Sequence, residues 1–205
     1  VRIGMDYGIS NRLNAGFGRN SFEKTYDGFL KYKLMSQQSG SIRNVPVSIV
    51  GFSSIALKTL RTGDPAGEPD LKDKLTYAYQ LIIAKKFSSA VSMQISPTLV
   101  HRNAVVENTD ANDIYALGAA GRIKLTKRLS LNAEYYYQFN RISSSVIQDS
   151  FAIGFDIETG GHVFQLHFTN SRAMIEKGFI TETTGDFFEG DIHFGFNISR
   201  TFQLY

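Results

Sequence analysis

Between positions 147 and 170 apolar and polar residues alternate on either side of a tight turn, and no other stretch restricts the fold as strongly. Phe151, Ile153, Phe155 and Ile157 alternate with Ala152, Gly154, Asp156 and Glu158. After Thr159-Gly160-Gly161-His162, Phe164, Leu166 and Phe168 alternate with Gln165, His167 and Thr169. Strand side chains repeat every two residues, so each arm has one apolar and one polar face. Gly-Gly supplies the positive φ that a two-residue hairpin turn requires. A polar face bearing Asp, Glu and His implies water on one side, and the apolar face then meets lipid. The expected fold is all-β: an antiparallel up-and-down transmembrane β-barrel, one domain over 1–205.

The same period recurs along the chain and gives about eleven strands, each near the roughly 9–11 residues that cross a bilayer at a tilt. Compact turns fall near 10–12, 37–44, 86–89, 126–128 and 159–162, and long polar loops near 19–25, 58–73, 102–112, 139–146 and 171–190. They alternate strictly, as short periplasmic turns and long external loops do in outer-membrane barrels. The fourth strand is expected from Val45 to about Leu57, and Pro97 predicts a bulge or a strand end, since proline removes a ladder hydrogen bond. The first and last strands run in the same direction, whereas single-chain bacterial barrels have even strand numbers. One more strand is therefore expected upstream of Val1, giving about twelve; the alternative is a partner chain that closes the seam, since an open backbone edge in hydrocarbon is too costly. The start at Val1, without Met or a signal peptide, reads as a processed or incomplete product.

No window approaches the roughly 20 apolar residues of a membrane helix, which does not count against strands. The net charge of +3 is too small to argue for nucleic acid. Without cysteine there is no disulfide or thiolate metal site. The short turns carry Arg12, Arg43, Lys85, Lys86, Lys127 and Arg128, suited to anionic lipid heads. The long loops mix signs, including Asp64, Glu68, Asp70, Glu107, Asp110, Asp113, Glu182, Asp186 and Glu189.

Parity assigns a lumen-facing set: Arg2, Asp6, Lys31, Lys33, Arg122, Lys124, Glu134, Asp156, Glu158, His167 and His193. It assigns Leu75, Tyr77, Tyr79, Leu131, Tyr135, Phe151, Ile153, Phe155, Phe164, Leu166, Phe168, Phe194 and Phe196 to lipid. Arg122 and Lys124 stand on the seventh strand, Glu134 on the eighth, and Asp156 and Glu158 on the ninth, so opposite charges can cross-pair. The result is either a charged constriction that selects solutes or a self-satisfied polar filling. His167 and His193 share adjacent strands near Asp191, but their spacing is not diagnostic of a metal site, and neither metal nor cofactor is expected. No spacing singles out a catalytic triad, so no catalytic residue is assigned. Gly4, Gly8, Gly16 and Gly18 sit in alternating strands without a following helix, and are read as room for bulky lumen residues rather than a nucleotide loop.

The stretches LVHRN (99–103), GRIKLTKRLSLNAEYYY (121–137), GFDIETGGHVFQLHFTNS (154–171), ITETTG (180–185) and GDIHFGFNISR (190–200) resemble an uncharacterised β-barrel family, a domain of unknown function from Bacteroidetes-type bacteria. The resemblance spans nearly the whole chain and implies an outer-membrane location, a further strand-like segment before the position of Val1, and no established activity. Three readings of function follow. One is a narrow channel for small solutes or a closed structural barrel. The second is a non-catalytic subunit or scaffold that meets other outer-membrane proteins. The third, less favoured, is an outer-membrane hydrolase. The partner common to all three is the lipid bilayer.

Overall fold

The computed structural model describes residues 1–40, 44–61, 69–105, 110–141 and 146–202; Arg43, Asp64, Glu68 and Glu107 lie outside these. Eleven strands form one sheet in chain order: β1 (Arg2–Gly8), β2 (Leu13–Asn20), β3 (Tyr26–Met35), β4 (Ser48–Leu57), β5 (Leu75–Lys86), β6 (Val91–Arg102), β7 (Asp113–Lys124), β8 (Leu129–Gln138), β9 (Ser150–Glu158), β10 (His162–Thr169) and β11 (His193–Arg200). Each pairs antiparallel with the next, which makes the sheet up-and-down throughout. The sheet curls around an interior: the Gln80 amide on β5 donates to Tyr136 Oη on β8, 3.2 Å away. β1 and β11 run in the same direction and are not paired with each other, so the seam between them is open.

The turn-side connections repeat one local solution. In Ile9–Leu13, Phe87–Val91 and Leu125–Leu129 the first amide donates to the last carbonyl at 2.9–3.0 Å. The hydroxyls of Ser10, Ser88 and Thr126 each accept two amides from the far side of their turn. A short hydroxyl next to the strand end thus replaces ladder partners that a turn removes. The 159–162 turn is different: only Gly160 takes a positive φ, of 81°, the pattern of a two-residue turn with glycine first.

Three expectations are corrected. β4 begins at Ser48; Val45 instead forms an isolated bridge with Gln38. Pro97 neither ends β6 nor bulges it. The β5–β6 register is the same on both sides of Pro97, and the pairs at Ser96 and Pro97 simply drop out of that ladder. The register shift lies elsewhere, between Lys33 and Met35 on β3. The segment 171–190 is not a solvated loop: it contains a helix, α1 (Glu176–Thr181), with Lys177, Gly178, Ile180 and Thr181 buried. Ile175, Phe179 and Ile180 lie close enough along the chain to present one apolar face, and the enclosed interior is the surface that covers it.

Candidate functional site

Even-numbered residues of β5 to β8 point inward, and near the loop end they mix an apolar cluster with buried Thr76, Gln80, Thr98 and Gln138. Ala78, Val100, Ile114, Ala116 and Tyr136 form a buried cluster closed from above by Ile147 and Ile180, with Phe179 packed against it. Val100, Ile114 and Ile180 are wholly buried, and the Phe179 and Tyr136 rings stand 5.1 Å apart. Tyr136 fits because its cross-strand neighbour is Gly118; a Cβ there would sit 2.5 Å from the ring. The loop-side half of the lumen is thus filled by a plug.

A chain of ion pairs fixes this plug to two other loops. The Lys177 ammonium lies 3.0 Å from Glu23 and also pairs with Glu182, while Glu23 pairs with Lys58. Glu23 and Lys24 both take left-handed backbone, φ 55° and 49°, a conformation that costs non-glycine residues roughly 1–2 kcal/mol each. Burial works to raise the Glu23 carboxyl, but Lys177 and Lys58 outweigh it and hold it below its ordinary value. Burial works to lower Lys177, and Glu182 and Glu23 more than offset this, so the ammonium is held above its ordinary value. Burial pushes up Glu176 and Glu182. Where the plug leaves β10, buried Asn170 donates to the Asp149 and Gly185 carbonyls at 2.9 and 2.8 Å and accepts from the Phe151 amide.

Below the plug the lumen is hollow. A cavity of about 520 Å³ reaches from Met174 and Phe179 toward the turn side, past Glu134, Asn132, Arg122, Asp156, Gln165 and His167. The structure brings some of the lumen-facing set together. Arg122 Nη2 reaches over β8 to Glu158 at 2.7 Å and its Nε stands 3.8 Å from Asp156. Lys124 lies beside the same Glu158. Arg2 grips Asp27 with two nitrogens, Nε at 3.0 Å, and its guanidinium fills the space left by Gly4 and Gly18. Asp6 lies near Arg2, and Lys31 stands over the Phe29 ring at 4.8 Å. Lys33 is exposed beside the β3 irregularity.

Other members stay apart. Glu134 does not join the ion pairs, because its neighbours across both ladders are Ala120 and Ala152, while Arg122 is level with Asn132. His167 lines the large cavity, its ring resting where a Gly195 side chain would be; His193 lines a separate cleft of about 150 Å³ with Asp191 and Glu182. Among the described residues no three His, Asp or Glu converge as metal ligands would.

On the outer surface Tyr79, Tyr135, Phe155, Phe168, Phe194 and Phe196 are exposed. Leu75, Tyr77, Leu131, Ile153, Phe164 and Leu166 are half-buried among neighbours of their own face. Phe151 is covered by the Phe187 and Phe188 rings at 4.6 and 5.7 Å. An apolar exterior on this scale is what a lipid-facing sheet presents. Sequence reasoning did not single out Glu23, Asn170, Glu176, Lys177 or Glu182 as interior. The available signal was Ile175, Phe179 and Ile180 inside a stretch read as polar.

A family model described as "Membrane bound beta barrel domain (DUF5777)" matches residues 1–202. Nothing among the curated proteins matches the chain. A solved structure titled "NanC porin structure in rhombohedral crystal form" is similar with a TM-score of 0.63 and 6% sequence identity, over 98% of this chain and 92% of that one. At that identity the likeness is one of fold.

Proposed function

The chain belongs to the DUF5777 family of membrane-bound beta barrel domains, and from that premise we propose that it is a gated outer-membrane barrel. On this reading, small solutes enter the lumen from the turn side and cross when the 171–185 segment withdraws. The observation that carries the reading is the stacking of two unlike compartments: a contact of Phe179 and Ile180 on Val100, Ile114 and Tyr136, above a cavity of about 520 Å³. A barrel that served only as a wall has no need of that cavity, and a permanently open pore has no place for the plug. Four of the five turn-side connections have three or four residues and four of the five loop-side ones have ten or more; the exceptions are 36–47 on the turn side and 21–25 on the loop side, and the bias favours the outer membrane, with the plug on the external side. On this reading the role is transport, and the hollow chamber under the plug is what supports it.

Planar-bilayer recording tests the gate. The intact chain is expected to be electrically silent, and a variant with 172–184 replaced by a short Gly-Ser bridge is expected to conduct. Silence in the bridged, folded variant overturns the proposal, as does steady conductance by the intact chain.

A further inference from the structure

The ladders around Glu134 leave a carboxylate without a counterion in the lumen cavity. Glu134 faces Ala120 on β7 and Ala152 on β9, the smallest side chains that still form a wall. The nearest cationic side chain along the wall, Arg122, is two residues nearer the turn side and is committed to Glu158 and Asp156. Glu134 makes no hydrogen bond or ion pair among the described residues. The charge that does reach it from the plug is Glu176, of the same sign. A half-buried carboxylate with no partner is partly desolvated, and the cost of that falls when a cation arrives.

The space beside Glu134 has the shape and lining for such a guest. It lies in the cavity of about 520 Å³, within the range of small-molecule sites. Its roof is Phe179, itself stacked on Tyr136, and Met174 stands beside it. Alanines and an aromatic ring accept an alkyl chain; a carboxylate lining the same cavity accepts an ammonium head. Among the described residues no three His, Asp or Glu converge here as the ligands of a metal ion would.

We propose that the lumen holds a binding site for a small organic cation, an alkylammonium, with Glu134 as the group that recognises its charge and the Phe179 side of the plug as the cover of its chain. This rests on the gated-barrel reading, since it names the class of solute that occupies the chamber under the gate.

Calorimetric titration of the intact chain in a non-ionic detergent tests it, with n-butylammonium chloride as probe and sodium butyrate and glucose as controls. Saturable binding of n-butylammonium is expected, at least tenfold tighter than butyrate, and Glu134→Gln is expected to weaken it tenfold or more. Ala152→Leu keeps the carboxylate but fills the space beside it, and is expected to abolish binding even if Glu134→Gln does not fold. No binding, equal binding of butyrate, or full affinity in either folded variant overturns the proposal. Binding is measured on the closed barrel, so it fails separately from the gate. A bridged barrel that conducts while the intact chain ignores n-butylammonium sinks only the site. An intact chain that binds it, with a bridged barrel that never conducts, sinks only the gate.

Discussion

The two halves of the lumen are built from the same strands and obey opposite rules. At the loop end the inward positions include Ala78, Val100, Ile114, Ala116 and Tyr136 beside the neutral polar Thr76, Gln80, Thr98 and Gln138, and a segment that buries Ile180 fills the space between them. At the turn end the inward positions of the same strands are Ala84, Ser92, Gln94, Ala120, Arg122 and Asn132, and the space stays open. The difference is one of composition along a strand rather than of backbone, since the register runs unbroken through both halves. It teaches that a barrel of fixed wall can be solid or hollow at different depths, decided by which inward side chains can exclude water. The loop half also carries the costs of being closed: two left-handed non-glycine residues and a buried lysine, all at the latch.

Each half can be attacked on its own terms. The largest effect is expected at the latch. Lys177→Met leaves Glu23 and Glu182 buried without their shared cation, and loss of one partner from such a group typically costs about 3 kcal/mol or more. Hydrogen exchange across 175–183 is expected to accelerate by two orders of magnitude or more, while exchange in β5 to β8 is unchanged; equal loss in both would mean that plug and wall are one unit.

A smaller effect is expected from pH. Glu176 lies above its ordinary value, near 4.5, because burial disfavours the anion. Its contribution to docking is therefore whole below 4.5 and is lost as pH rises through the raised value. Glu23 lies below its ordinary value, so its contribution is whole above 4.5 and is lost as pH falls through the lowered one. Protection of the plug is expected to peak near the ordinary carboxylate value and decline to either side. Arg2, Asp27, Lys31 and Glu134 all act on Glu176, and set how far its limb extends. Glu176→Gln is expected to reduce the alkaline limb, leaving the part that belongs to Glu182, and to spare the acid limb; exchange rates measured from pH 3 to 8 check this.

The smallest effect is expected at the turn rim. Thr126→Ala removes the acceptor for the Arg128 and Leu129 amides, at a cost of about 1 kcal/mol or less because water replaces it at an exposed turn. The urea midpoint for refolding into detergent micelles is expected to move slightly, with plug exchange unaltered. A large change in plug exchange would show that the rim and the gate are coupled.

Much of this molecule follows from one-dimensional pattern. Eleven strands, their order, the side of each connection and the inward parity all follow from a period of two and from turn chemistry such as Ser10, Ser88, Thr126 and Gly160-Gly161, because these are local properties of the backbone. Pro97 shows the limit: the rule that proline interrupts a ladder is sound, yet neighbouring pairs on both sides hold the strand in register. The interior partners were decided by tertiary structure alone. Which cation meets Glu158, and that none meets Glu134, depends on stagger between strands, and stagger is set by the sum of all pairings rather than by any one of them. That 171–190 turns inward depends on an enclosed apolar surface to bury Ile180 and Phe179, and such a surface exists only once the wall has formed around it.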